Sequence, residues 1–165
     1  MGNQGRAIWM YGLPSCGKTT IARELINKLD SYILLDGDDI RDLFDNDLGY
    51  SESDRNKQSL RLVKLCNLIN RYGVDVILCT NSISENNRNI FRKGINNLIE
   101  VYVSCNLEEC IKRDVKGLYK KAKKGLIKNF PGIDIPYEIP KIYDIKLETD
   151  KYTLDECIKI LMVII

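Results

Sequence analysis

Two hydrophobic periods alternate along the chain. Short apolar runs at residues 6–11, 32–36, 74–80, 98–104 and 143–147 have the length and continuity of strands buried on both faces. Between them the spacing becomes helical. Residues 19–29 place Ile21, Ala22, Leu25, Ile26 and Leu29 on one face. Residues 52–72 carry Leu60, Leu62, Val63, Leu65, Cys66, Leu68 and Ile69, and Gly73 supplies a stop. Residues 84–93 form a further helix before Gly94, Asn106 opens a short helix through Lys112, and Thr153-Leu-Asp-Glu156 is a capping box for a closing helix. Strands separated by helices predict βαβ units: a five-stranded parallel sheet with helices on both faces, in one α/β domain over residues 1–165.

One segment breaks this rhythm. Residues 114–140 hold Lys116, Lys120, Lys121, Lys123, Lys124 and Lys128, then Pro131, Pro136 and Pro140. A basic stretch with little apolar surface to bury reads as a solvated loop or a mobile lid, at about residues 114–137.

Composition narrows the chemistry. The 165 residues, 44% hydrophobic and 29% charged, suit one folded domain and exclude a disordered chain. Net charge is +2, from 25 basic and 23 acidic side chains, so any anion site is local and a broad nucleic-acid surface is not expected. Histidine is absent, which removes Ser-His-Asp and Cys-His nucleophiles, HExxH metal sites and histidine proton shuttles. The six cysteines, Cys16, Cys66, Cys79, Cys105, Cys110 and Cys157, lack CxxC spacing and sit among apolar neighbours. They read as buried thiols of a cytoplasmic protein. Residues 1–5 are polar, and no apolar run approaches the roughly 18 residues of a membrane span.

Gly12-Leu13-Pro14-Ser15-Cys16-Gly17-Lys18-Thr19 satisfies G-x-x-x-x-G-K-[ST] between a predicted strand and a predicted helix. Such a P-loop wraps a phosphate in backbone N–H groups backed by a helix N-terminus. Lys18 reaches the β- and γ-phosphates, and the Thr19 hydroxyl ligates Mg²⁺. With Thr20, these residues form the candidate ATP site of a P-loop NTPase fold. After the second strand come Asp36, Asp38 and Asp39. Acids there suit a magnesium shell, a proton acceptor for an attacking hydroxyl, or a helix N-cap supplied by Asp38 or Asp39. Arg41 and Arg55 flank Tyr50, a set able to grip an anion and stack a base, or to be ordinary surface residues.

The chain resembles the adenylyl-sulfate (APS) kinase family through GLPSCGKTT at 12–20, LDGDDIRDLFDNDLGYSESDR at 35–55, KRDVKGLYKKAKKG at 112–125 and KNFPGIDIPYEIP at 128–140. The resemblance spans most of residues 6–150. It implies a cytoplasmic kinase, in a family often dimeric, that moves the γ-phosphoryl of ATP·Mg²⁺ onto the 3′-hydroxyl of a nucleotide, usually adenosine 5′-phosphosulfate. By that resemblance Asp38 lies beside the acceptor hydroxyl, and Arg41 and Arg55 grip the phosphosulfate. Tyr50, where the family usually has phenylalanine, and Phe130 sandwich the acceptor base. Arg113 packs on the ATP adenine. Asp36, Gln58, Ser84, Lys116 and Asp134 complete the acceptor set, and residues 114–137 close as the lid. The chain departs from the family at Ile83-Ser84-Glu85-Asn86-Asn87-Arg88, where proline and an aromatic are missing, and at Gln58, which replaces an asparagine. Both departures concern the acceptor, so a cytidine diphosphoramidate 3′-kinase stands as the alternative. A nucleoside monophosphate kinase fits DGDDIR and GLYKKA poorly, and a nucleotide sensor has no need of an acceptor site.

Overall fold

The computed structural model describes residues 4–165, so the polar stretch at 1–5 falls partly outside it. Five parallel strands, β1 (Ala7–Tyr11), β2 (Tyr32–Asp36), β3 (Asp75–Thr80), β4 (Leu98–Ser104) and β5 (Ile145–Glu148), lie in the order β2-β3-β1-β4-β5. The order places β1 at the centre, which is why all five of its residues are buried. Alternate side chains feed two separate cores. Ile8, Met10, Ile77, Val101 and Val103 meet α1 (Lys18–Ile26) and α7 (Leu154–Met162) on one face, through Ile21, Leu25, Ile158 and Leu161. On the other face Ala7, Trp9, Tyr11, Val76 and Leu78 meet α3 (Glu52–Arg71) and α4 (Glu85–Gly94) through Leu62, Val63, Cys66 and Phe91. Trp9 stacks on Phe91 with ring centroids 4.5 Å apart and donates its Nε1–H to Thr80 Oγ1 at 2.9 Å.

The strand expectations hold to within two residues at each end. All six cysteines are free and buried. Burial pushes the Cys66 thiol up to about 11, the behaviour of an inert interior thiol. Three readings need correction. Leu60 and Leu68 are about half exposed, so the apolar face of α3 is narrower than its sequence pattern. Asn106 stands at the start of α5 (Leu107–Arg113) without a side-chain cap. Two short helices stand outside the predicted elements: α2 (Gly37–Leu43), foreshadowed only by the reading of Asp38 or Asp39 as a helix cap, and α6 (Leu118–Lys123).

The second of these changes the reading of the basic segment. Tyr119 and Ala122 of α6 and Phe130 beyond it are buried in the core shared with α1. Tyr119 packs edge-on to Phe130 at 4.9 Å, and its hydroxyl donates to the Pro14 carbonyl at 2.9 Å. The segment therefore buries substantial apolar surface and is pinned to the phosphate loop at its middle. Lys120, Lys121 and Lys123 are exposed on α6, while Lys116 and Lys128 lie outside the helix.

At the chain's end, both halves of the capping box form: Glu156 N donates to Thr153 Oγ1 at 3.3 Å, and Thr153 N donates to Glu156 Oε2 at 2.8 Å. Thr153→Ala should cost about 1 kcal/mol. In a domain of this length that appears as a fall of about 2–4 °C in thermal midpoint. An unchanged melting curve would show that α7 does not depend on its cap.

Candidate active site

Parallel strands direct their following loops to one edge, and a cleft of ≈ 630 Å³ opens there. Its size matches the roughly 300–1,000 Å³ of small-molecule sites. The loop after β1 forms its floor. A Cβ on Gly12 would lie 2.2 Å from the Val103 carbonyl oxygen, so only glycine lets the loop leave against β4. Gly17 turns with φ +103°, in the left-handed region, and starts α1. No side chain caps α1 and no acid occupies its first turn. By contrast Asp36, Ser51, Ser84 and Thr153 cap α2, α3, α4 and α7. The open N–H groups of α1 are suited to an anion.

Lys18 is 8% exposed, and its ammonium donates to the Gly12 and Leu13 carbonyls at 3.0 and 2.7 Å. Pro14, Ser15, Gly17, Lys18, Thr19 and Thr20 line the cleft. Gly12, Leu13 and Cys16 do not line it. They lie beneath as backbone support, with the Cys16 carbonyl accepting from Thr149 Oγ1 at 2.6 Å.

The acids divide by geometry. Asp36 caps α2 by accepting from Asp38 N at 3.0 Å, so the cap comes from Asp36 and not from Asp38 or Asp39. Its other oxygen accepts from Thr19 Oγ1 at 2.6 Å. That contact sets Asp36 beside the P-loop hydroxyl instead of on the acceptor side expected from sequence. Among the described residues no cluster of three or more acids or cysteines could cage a metal. A magnesium ion carried by phosphates needs only one or two protein oxygens plus water, and the Thr19–Asp36 pair fits that donor set. Asp38 projects further out, its side chain about half exposed, and accepts from Lys116 Nζ at 2.7 Å. The hydrogen bond to Asp38 raises the Lys116 pKa, so the ammonium is kept through neutral pH and its share of the pair is lost as pH climbs through that raised value.

Across the cleft, Arg41 and Arg55 lie 4.5 and 5.3 Å from the centre of the Tyr50 ring. Arg41 is held by the Leu48 and Gly49 carbonyls, and Arg55 by the Tyr50 and Asn129 carbonyls. Burial, then the like charge of Arg41, push the Arg55 guanidinium below its usual pKa. An anion between the two cations would relieve that repulsion. Arg55 also ties α3 to the loop bearing Phe130, so both aromatics expected to flank a base border the cleft. Gln58 lines it too, its amide engaged with the Gly37 carbonyl and Arg61. At the opposite end Arg113 donates to the Thr149 carbonyl at 2.7 Å and presents its side chain to the cleft.

Two expected acceptor residues are elsewhere. Ser84 Oγ accepts from Asn87 N as the cap of α4 and does not reach the cleft. Asp134 accepts from the backbone N–H groups of Asn129 and Phe130, shaping the turn that carries Phe130 without lining the site. Arg88 is fully buried, its Nη1 donating to the Glu138 carbonyl at 3.0 Å, also away from the cleft. Sequence reasoning missed Asn81–Ile83 after β3, Asn87, and Thr149 and Tyr152 after β5. The strand-edge rule would have found the residues that directly follow β3 and β5.

A loop for phosphates, an acid beyond it and paired arginines opposite are a phosphotransfer geometry, and the comparisons agree. The adenylylsulphate kinase family model matches residues 4–148. The adenylyl-sulfate kinase of Synechococcus sp. is 39% identical, with 98% of this chain and 94% of that protein aligned. That of Rippkaea orientalis is 44% identical over 96% of this chain and 90% of its own. The structure of the Mycobacterium tuberculosis APS kinase in complex with AMPPNP and APS superposes with a TM-score of 0.87 at 35% identity, covering 97% of this chain and 96% of that one. With a family match over most of its length and relatives alike nearly end to end, the chain belongs to the adenylylsulphate kinase family.

Proposed function

We propose that this protein transfers the γ-phosphoryl group of ATP to the 3′-hydroxyl of adenosine 5′-phosphosulfate, giving 3′-phosphoadenosine 5′-phosphosulfate. The observation that carries the reading is one continuous cleft joining the phosphate loop, Asp38 and the Arg41–Tyr50–Arg55 cluster. ATP lies along the loop with its adenine at Arg113. The acceptor base enters between Tyr50 and Phe130, and its anionic end meets Arg41 and Arg55.

The transition state spreads charge over the γ-phosphoryl oxygens, so stabilisation comes from fixed positive groups more than from a strong base. Lys18 and the open N–H groups of α1 supply it. Asp38 orients the acceptor hydroxyl and accepts its proton. Lys116, bonded to Asp38, brings the lid segment down over the reacting atoms and excludes water. Thr19 and Asp36 would hold the Mg²⁺ that accompanies ATP, which would supply neutralising charge to the phosphates. Six buried free cysteines fit a reducing cytoplasm, and among the described residues no helix is long and apolar enough to cross a membrane.

Asp36→Asn should raise the Mg²⁺ concentration giving half-maximal rate by about ten- to a hundredfold. It should leave KM for the acceptor within about threefold. A magnesium titration at saturating ATP tests this. An unchanged magnesium requirement with a raised acceptor KM would return Asp36 to the acceptor side.

A further inference from the structure

Asn87 is a buried residue of the cleft wall whose amide is locked in one orientation. It is 5% exposed. Its Nδ2 donates to Asn56 Oδ1 at 2.9 Å and to Ser59 Oγ at 3.0 Å, which uses both amide hydrogens. Ser59 cannot reverse the second bond, because its single hydroxyl proton is given to the Arg55 carbonyl at 3.0 Å. Turning the amide over would set the Asn87 carbonyl against the Ser59 hydroxyl oxygen, whose proton is already given to Arg55. Its Oδ1 therefore faces the other way, and no described residue donates to it. The sealed side-chain atoms without a partner among the described residues are Arg88 Nε and Tyr137 OH, so Asn87 Oδ1 is reachable from the cleft. An acceptor on the cleft wall that no described protein group uses is free to take a ligand's donor, and once a ligand shuts out water it is costly to leave unpaired. Neighbouring Gln58, by contrast, has both ends of its amide engaged within the protein.

The place of this oxygen says what it meets. Ser59 lies one helical turn along α3 from Arg55, about 6 Å by the helical rise. Arg55 is the residue that fastens Tyr50 and the Asn129–Phe130 loop. Asn87, bonded to Ser59, thus lines the same cleft as Tyr50 and Phe130 about one helical turn along α3 from Arg55, within the wall that the edge of a base gripped between them would face.

We propose that Asn87 is a specificity-determining residue for the acceptor base: Oδ1 accepts a hydrogen bond from an exocyclic amino group. The inference rests on the proposed acceptor position. Adenine and cytosine carry such a donor. Hypoxanthine and uracil present a carbonyl in its place, which would oppose oxygen to oxygen across a dry contact. Neither binding nor rejection changes the groups around the γ-phosphate, so the discrimination appears in ground-state binding.

The experiment compares adenosine 5′-phosphosulfate with its inosine counterpart, in which an oxo group replaces the amine. Steady-state rates and calorimetric Kd are measured for the wild type, Asn87→Leu and Asn87→Ala, each with a melting curve. The wild type should favour the amine by about ten- to a hundredfold in kcat/KM, carried by KM and matched in Kd, as expected for one buried hydrogen bond lost to an unpaired acceptor. Both variants should bring that ratio within about threefold of unity while kcat changes little. Equal use of the two bases by the wild type, or a wild-type ratio retained by a folded variant, would overturn the role of Asn87. If both variants fail to fold, the wild-type ratio alone decides. Absence of turnover on either base would overturn the proposed reaction, and the Kd ratio would then judge Asn87 separately.

Discussion

Lys18→Ala is expected to lower turnover by at least about a hundredfold, a loss near 2.7 kcal/mol of transition-state stabilisation. Lys18 is the buried cation of the phosphate loop, with its ammonium ringed by the loop's own carbonyls. Phosphoryl transfer places its charge on oxygens that this ammonium can reach, and the low solvent exposure keeps the interaction from being screened. The fold depends on the side chain far less, because its partners are the Gly12 and Leu13 carbonyls of the same loop. The variant should keep a wild-type circular dichroism spectrum and a thermal midpoint within a few degrees. A folded Lys18→Ala protein turning over at near-normal rate would remove the loop from the chemistry.

Asp38→Asn should lower kcat by about a hundredfold to ten-thousandfold, the span of a positioned proton acceptor, while Kd for ATP stays within about threefold. The separation follows from geometry. Thr19 and Asp36 are joined to each other beside the loop, whereas Asp38 projects beyond them and engages Lys116. Substitution at Asp38 therefore leaves the nucleotide's phosphate contacts in place. A loss of ATP binding with little additional loss in kcat would make Asp38 part of the metal shell. Because Asp38 is about half exposed, its replacement should not unfold the protein.

The inner strands were legible because they are buried on both faces: β1 and the Val76–Cys79 stretch of β3 read as apolar runs feeding two cores, while the edge strands β2 and β5 are only partly covered. The phosphate loop was legible because its glycines answer local backbone demands. The two helices outside the predicted elements are short. α2 takes its cap from the last residue of β2, so strand and helix share Asp36 and no separating signal exists. α6 lay within a lysine-rich stretch whose few apolar residues, Tyr119 and Ala122, carry its packing. Mean composition hid the anchor. Ser84 and Asp134 show the same limit at the site. Each belongs to a recognisable motif, yet one caps a helix and the other shapes a turn, and their motifs do not say which way a side chain points. Asn87 lies in the 83–88 stretch that departs from the family, but that stretch alone does not say which of its side chains reaches the cleft; this depends on α3 and α4 packing together.

The nucleotide that receives the phosphoryl group is read out by one competition. The purified protein, incubated with ATP and Mg²⁺, should be offered adenosine 5′-phosphosulfate and cytidine diphosphoramidate in parallel, with products identified by mass and ³¹P NMR. One equivalent of ADP is expected for each 3′-phosphoadenosine 5′-phosphosulfate formed, with negligible phosphorylation of the cytidine compound. Rapid 3′-phosphorylation of cytidine diphosphoramidate with adenosine 5′-phosphosulfate left intact would contradict the proposed reaction.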